Sequence, residues 1–239
     1  MVQTLPVASP PGLIALSLFR CLAITALALF ALPAYAQSCP AGQRRMVFPP
    51  EGHFEYWRNT STGVDRTVEE WWYSESRGKR RERLPFSNGT LDEYFDFAAQ
   101  TITQVTVTGG TITQCAQFTV SQTFSRPSIG TGCFEHVSDE NLGGLLPVER
   151  WYQRSGITVT MDVIALRLGE DLLPLQLFNR LSATIYTAYL NFTAEIEDSD
   201  FSLPCTPIPM SGSRETALRD TEIQLGLPAG TLTDPGTGG

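Results

Sequence analysis

The chain holds only two imidazoles, His53 and His136, and neither stands in a motif that would use it. Gly-x-Ser-x-Gly and His-Glu-x-x-His are both absent, which excludes the sequence signatures of a serine-hydrolase elbow and a zinc-peptidase helix. His136 follows Cys133 closely enough to suggest an activated thiol, but a cysteine held in a disulfide has no thiolate to offer. Carboxylates are more plentiful. Glu195, Glu197, Asp198 and Asp200 form the densest acidic stretch, and hard oxygen donors this close on a turn suit Ca²⁺, although the spacing is not that of an EF-hand loop. A secreted carbohydrate-active enzyme would need two facing carboxylates, which 25 acidic residues do not exclude. No catalytic residue is assigned, and the chain is expected to bind rather than to catalyse.

Two further residue classes could recognise a ligand. Arg77, Lys79, Arg81 and Arg83 alternate along a strand and share a face. That face is either a solvated surface paired with Glu75 and Glu82, or a contact for anionic lipid headgroups or sulfated glycans. With 17 basic against 25 acidic residues the net charge is −8, which argues against nucleic acid as a partner. Aromatic residues crowd the same region, among them Phe54, Tyr56, Trp57, Trp71, Trp72, Tyr73, Tyr94, Phe95 and Phe97, followed later by Trp151 and Tyr152. They make either a filled β core or the walls of an apolar cavity, and composition by itself favours the filled core.

The compartment is legible at the N-terminus. Cys21 to Leu32 is an apolar run of 12 residues, preceded by Arg20 and followed by Ala34-Tyr35-Ala36, a small-x-small cleavage site. It is shorter than the about 20 residues a membrane span needs, so residues 1–36 read as a signal peptide and the product as secreted and extracellular, without a membrane span. Cys39, Cys115, Cys133 and Cys205 then remain for two disulfides, in any of three connectivities. Asn59, Asn88 and Asn191 each open an Asn-x-Ser/Thr sequon, as expected of a glycoprotein.

Strands must position these groups. Residues 37–51 are Pro-rich and read as irregular, and residues 37–205 as one β domain. Strands are predicted over His53–Arg58, Val68–Ser76, Lys79–Phe86, Glu93–Ala99, Thr101–Thr108, Thr111–Val120, Val148–Arg154, Ile157–Leu168, Leu172–Leu181 and Ser182–Glu195, all rich in aromatic and β-branched residues. Arg77-Gly78, Gly109-Gly110 and Gly169-Glu170-Asp171 join neighbours as hairpins, so the pairing is antiparallel. Residues 121–147 carry Pro127, Gly130, Gly132, Gly143, Gly144 and Pro147 and read as a long connection tied down by Cys133. Residues 206–239 read as a flexible tail with one short helix near Arg214 to Gln224. A glycosylated Asn191 must face solvent, which by strict alternation turns Thr184, Tyr186, Ala188, Leu190, Phe192, Ala194 and Ile196 inward. Val159, Met161, Val163 and Ala165 share a face likewise, while Ile164, Leu166 and Leu168 break the alternation, which suggests either a bulge or a stretch covered on both faces.

The order of features from Cys39 to Cys205 resembles a known family. An early Cys39-Pro40 precedes Trp72-Tyr73-Ser74, which leads through Arg77-Gly78-Lys79-Arg80 to Arg83. Tyr94-Phe95-Asp96-Phe97 and a hairpin closing at Cys115 follow, then Glu149-Arg150-Trp151, Asp171-Leu172-Leu173-Pro174-Leu175, and a closing Asp198-Ser199-Asp200-Phe201-Ser202-Leu203-Pro204-Cys205. In this order they resemble the ependymin family of secreted glycoproteins. The chain departs from that family at Leu172, where a cysteine is usual, and at Cys133, which stands in the long connection instead.

The resemblance implies an all-β fold of two stacked antiparallel sheets, an open sandwich similar to bacterial lipoprotein carriers, around a hydrophobic pocket. It also implies a dimer, bound calcium, a hydrophobic or lipid ligand, and association with extracellular matrix and cell-surface adhesion. It pairs Cys115 with Cys205 and, with that, Cys39 with Cys133. Strand alternation nominates Tyr94, Phe97, Val159, Met161, Tyr186, Leu190 and Phe192 for the pocket. A filled sandwich serving only as an adhesion module is the competing expectation, distinguished by the absence of any copurifying apolar ligand.

Overall fold

A computed structural model describes residues 39–59, 67–180, 185–212, 214, 218 and 219; the signal segment at 1–36 lies outside them. In chain order the strands are β1 (Gln43–Val47), β2 (Glu51–Asn59), β3 (Thr67–Ser74), β4 (Lys79–Phe86), β5 (Gly89–Asp96), β6 (Thr101–Thr108), β7 (Thr111–Thr119), β8 (Ser128–Leu142), β9 (Leu146–Ser155), β10 (Thr158–Leu168), β11 (Asp171–Asn179), β12 (Ile185–Thr193) and β13 (Ile208–Pro209). A 3₁₀ turn, η1 (Asp198–Phe201), follows β12. The fold is all-β, as expected.

All 13 strands share one open sheet, in the order β1-β8-β9-β10-β11-β12-β2-β3-β4-β5-β6-β7-β13. Two meanders, β2 to β7 and β8 to β12, meet where β12 pairs antiparallel with β2. This pairing makes one continuous sheet where the resemblance implies two stacked ones. The short β13 lies parallel to β7 at one edge, and β1 lies antiparallel to β8 at the other. The sheet curves enough that Met46 of β1, Phe54 of β2, Tyr73 of β3, Phe134 of β8, Trp151 of β9, Val163 of β10 and Leu173 of β11 share one buried core.

Three strands occupy segments that the sequence reads as irregular. The Pro-rich opening segment contains β1, and the tail past Cys205 begins with β13, after which Leu218 is buried against Leu84 and Leu91. The long connection contains β8, the longest strand of the sheet. Its glycines mark close approach rather than a turn: a Cβ on Gly132 would lie 1.8 Å from Gln153 Nε2, and Gly130 has φ +60° beside Met161. The disulfides join Cys39 to Cys133 on β8 and Cys115 on β7 to Cys205, the pairing implied by the resemblance. They close loops of 94 and 90 residues, and each stabilises the fold by roughly 4–5 kcal/mol in the chain-entropy picture.

Strict alternation along β12 fails at one residue. The β12–β2 register slips between Leu190 and Thr193, and Asn191 adopts φ +54°. The bulge reverses the sense of the strand, so Tyr189 and Phe192 both contact the core while Leu190 is 44 % exposed on the other face. The anticipated bulge in β10 is also present, as a register shift between Ile164 and Ala165.

Asn191 tolerates the left-handed conformation that a β-branched residue resists. In protein made without glycosylation, Asn191→Gly should leave stability close to wild type, whereas Asn191→Val should lose about 1–2 kcal/mol in urea denaturation. Equal stability of the two variants would remove the backbone constraint from the bulge.

Candidate ligand-binding cleft

The curvature leaves an open cleft of about 380 Å³ on the concave side. Its floor is built rung by rung: Leu177 lies opposite Thr187, Tyr189 opposite Tyr56, and Phe54 opposite Trp71, so that residues from β11, β12, β2 and β3 present one face. Met161 and Phe48 extend the apolar wall, and the stretch from Ser125 to Gly130 forms the other side. Phe48 stacks on Phe54 at 4.7 Å and meets Tyr189 edge-on at 5.1 Å, which holds these rings in place. The volume falls within the roughly 300–1,000 Å³ of small-molecule sites.

The aromatic floor continues directly into buried acid. The register runs Phe54–Trp71–Glu82–Glu93–Gln104 across β2 to β6. Glu69, Glu93 and Gln104 are fully or almost fully buried, and each carboxylate requires a donor. Tyr56 donates its hydroxyl to Glu69. Gln104 Nε2 donates to Glu93 Oε1 at 2.8 Å, and the Arg214 guanidinium donates to both oxygens of Glu93. Glu82 has Arg80, with Nε at 2.7 Å from Oε1. The Arg80 guanidinium lines the cleft and lies over the rings of Phe95 at 4.2 Å, Trp71 at 5.4 Å and Phe97 at 5.6 Å. Burial pushes the Glu82 carboxyl up to about 7, against the pull of Arg80, with Glu93 and Glu69 adding repulsion.

The nominated pocket residues divide. Met161 lines the cleft, and Phe97 stands beside Arg80, stacked on Phe95. Phe192 packs into the adjoining core, where a Cβ on Gly52 would come within 2.5 Å of its ring. Tyr186 pairs with Phe178 and Trp57 on the opposite face of the sheet, the face that also carries Leu190. Tyr94 lies on that face too, beneath the Arg81 guanidinium at 5.0 Å. Val159 is separated from Met161 by a register shift in the β9–β10 pairing and is not in the lining. The strand parity that misplaces Tyr186 and Leu190 is the parity reversed at Asn191.

The acidic turn already employs its carboxylates. Glu197 and Asp200 cap η1 reciprocally, with the Glu197 N–H donating to Asp200 Oδ2 at 2.8 Å, and Arg77 Nε donates to Asp198 at 2.8 Å. Glu195 is exposed. Among the described residues no three acidic, histidine or cysteine side chains converge as a metal site. A Ca²⁺ here would have to displace these partners. Lys79, Arg81 and Arg83 do share one face of β4, with Arg77 in the turn before it, but their partners are Glu51 and Asp198 for Arg77, Asp96 for Lys79, and Asp92 for Arg81 and Arg83. Glu82 faces the other way, toward Arg80. These two residues, the alternate members of the same basic strand, are the candidate groups that the sequence reading did not single out as a site.

Asn88 and Asn191 are exposed, Asn191 donating to Glu55 at 3.0 Å, and Asn59 ends β2. No helix among the described residues is long and apolar enough to cross a membrane. No family model matches the chain, and no curated protein matches it.

The Glu82 carboxyl has a testable effect on stability. Its folded value of about 7 exceeds its ordinary 4.5, so the native state holds a proton that the unfolded chain releases. Stability therefore falls as pH rises from about 4.5 to 7, by an amount on the order of 3 kcal/mol. In urea titrations Glu82→Gln should be less sensitive to pH than wild type across this window. Parallel pH profiles would show that Glu82 titrates normally.

Proposed function

We propose that this chain is a secreted, N-glycosylated binding protein of the ependymin-related type, which holds a hydrophobic or lipid ligand in the concave cleft. The observation that carries this reading is the open aromatic floor formed by Phe54, Tyr56, Trp71 and Tyr189 beneath Phe48 and Met161. Phe48 and Phe54 belong to the buried core, whereas Tyr56, Trp71, Tyr189 and Met161 are half-buried where they meet the cleft; a sheet that served only as a filled adhesion module would cover these four with side chains of its own. Here the indole Nε1 of Trp71 is buried without a hydrogen-bond partner among the described residues, in a wall otherwise suited to hydrocarbon. The two disulfides and the exposed Asn88 and Asn191 are compatible with the extracellular setting of this reading.

Binding in this cleft needs no chemical step. The ligand gains by removing its apolar surface and that of the rings from water, at about 25 cal/mol per Å². The polar residues Asn179, Thr187 and Arg126 also line the cleft.

Native mass spectrometry of the secreted protein, followed by organic extraction, should find a bound lipid or other apolar molecule. Uptake of a fluorescent fatty-acid probe separates the two faces of β12: Tyr189→Asp should weaken it by at least about tenfold, and Leu190→Asp should leave it within about twofold of wild type. The reverse pattern would move the site to the opposite face. No uptake by folded wild-type protein, together with a ligand-free mass, would favour the adhesion module.

A further inference from the structure

We infer that the inner end of the cleft is a subsite for the carboxylate of an amphipathic acid, which the Arg80 guanidinium receives in place of Glu82 as Glu82 takes up a proton. The inference rests on the cleft reading and adds to it the chemical class of the ligand.

The charge balance of the buried rung is the first support. Glu82 on β4 is faced by Arg80 on the same strand, by Glu69 on β3, by Glu93 on β5 and by Arg214 from the C-terminal segment. Tyr56 on β2 and Gln104 on β6 complete the surroundings as donors to Glu69 and Glu93. Tyr56 donates to Glu69 and Arg214 donates to both oxygens of Glu93, which leaves Arg80 as the cation within ion-pair distance of Glu82 among the described residues. The Glu82 side chain is only 12 % exposed, and a carboxylate so largely buried is costly unless it is well paired. Glu82 is the member whose hold is weakest. Arg80 Nε is close to its Oε1 but not aligned to donate a hydrogen bond, and no other acidic group lies within ion-pair distance of Arg80 among the described residues.

The second support is the position of Arg80. It is boxed by Phe95, Trp71 and Phe97 on the buried side and lines the cleft on the other. Once Glu82 is protonated, the guanidinium keeps its charge and loses its anion. A carboxylate at the end of an apolar chain restores the pair, since its planar oxygens match the guanidinium fork, while the chain lies along Phe54, Tyr189 and Met161. The balance is one proton from solvent: the Glu82 carboxylate becomes the acid, and the ligand carboxylate replaces it as the counter-ion of Arg80. A neutral ester of the same chain makes the apolar contacts only. The raised proton affinity of Glu82 sets the range of pH in which the exchange takes place.

The test uses cis-parinaric acid and its methyl ester as fluorescent probes, with the fold of each variant checked by circular dichroism. For wild type, affinity for the acid should fall by up to about tenfold per unit as pH rises above about 7, and affinity for the ester should stay flat. Glu82→Gln should bind the acid at about pH 8.5 as tightly as wild type does at about pH 6.5, with no titration between. Arg80→Met should bind acid and ester alike. Wild-type binding of the acid that ignores pH, a Glu82→Gln variant that still titrates, or an Arg80→Met variant that still prefers the acid would each overturn the subsite while leaving an ester-binding cleft in place. Failure of wild type to bind either probe would remove the cleft reading, and the subsite with it. Should Arg80→Met not fold, the Glu82→Gln profile decides alone.

Discussion

The pairing of β12 with β2 is the contact on which the rest of the architecture depends. It brings together strands separated by most of the domain, and it alone fuses two local meanders into one sheet. Each meander is made of hairpins that require little chain closure, whereas this seam must overcome the entropy of a long loop before its hydrogen bonds return anything. Tyr189 lies opposite Tyr56 at the seam, so the floor of the cleft is assembled by the same contact that completes the fold. The disulfides assist by holding the outlying segments: Cys39–Cys133 fastens the start of the domain to β8, and Cys115–Cys205 fastens the segment beyond η1 to β7.

The two faces of the first meander handle charge differently. On the outer face Asp92 is enclosed by Arg81 and Arg83, and Trp72 is stacked between His53 and Arg81, so each carboxylate and ring there faces a cation or a second ring. On the concave face Glu69, Glu82 and Glu93 are brought together beside hydrocarbon, held by Tyr56, Arg80 and the pair Gln104 and Arg214. Burying such a group beside hydrocarbon is costly unless the fold or a ligand compensates it. Hydrophobic residues of similar size at Glu82 and Glu93 would fit the neighbouring core better, so the acids are a poor choice for stability alone. That cluster of buried acids distinguishes the cleft from an ordinary gap in packing.

Arg214 and Leu218 show that the C-terminal segment takes part in this arrangement. Leu218 is 1 % exposed against Leu84 and Leu91, and Arg214 neutralises Glu93 from above. Arg214 and Leu218 lie over β4 and β5, while among the described residues the face over β11, β12, β2 and β3 is open. The boundary between covered and open floor falls at Arg80.

Much of this was legible in the sequence, for local reasons. Alternating aromatic and β-branched runs identified most strands, glycine pairs such as Gly109-Gly110 identified their hairpins through the left-handed conformations they adopt, and the resemblance supplied the pairing of the cysteines. Strand β8 was hidden because Gly130 and Gly132 serve close approach to Met161 and Gln153, contacts that have no sequence signal. Parity along β12 was hidden because one left-handed residue, Asn191, reverses every side chain before it relative to those after it. The acid rung was hidden for a third reason. Trp71, Glu82, Glu93 and Gln104 are remote from one another in the chain and become neighbours only through the register of four strands. Sequence determined the strands, the hairpins and their composition because those are short-range properties. Tertiary structure decided which side chains look into the cleft and which charges meet there, because both depend on register and curvature.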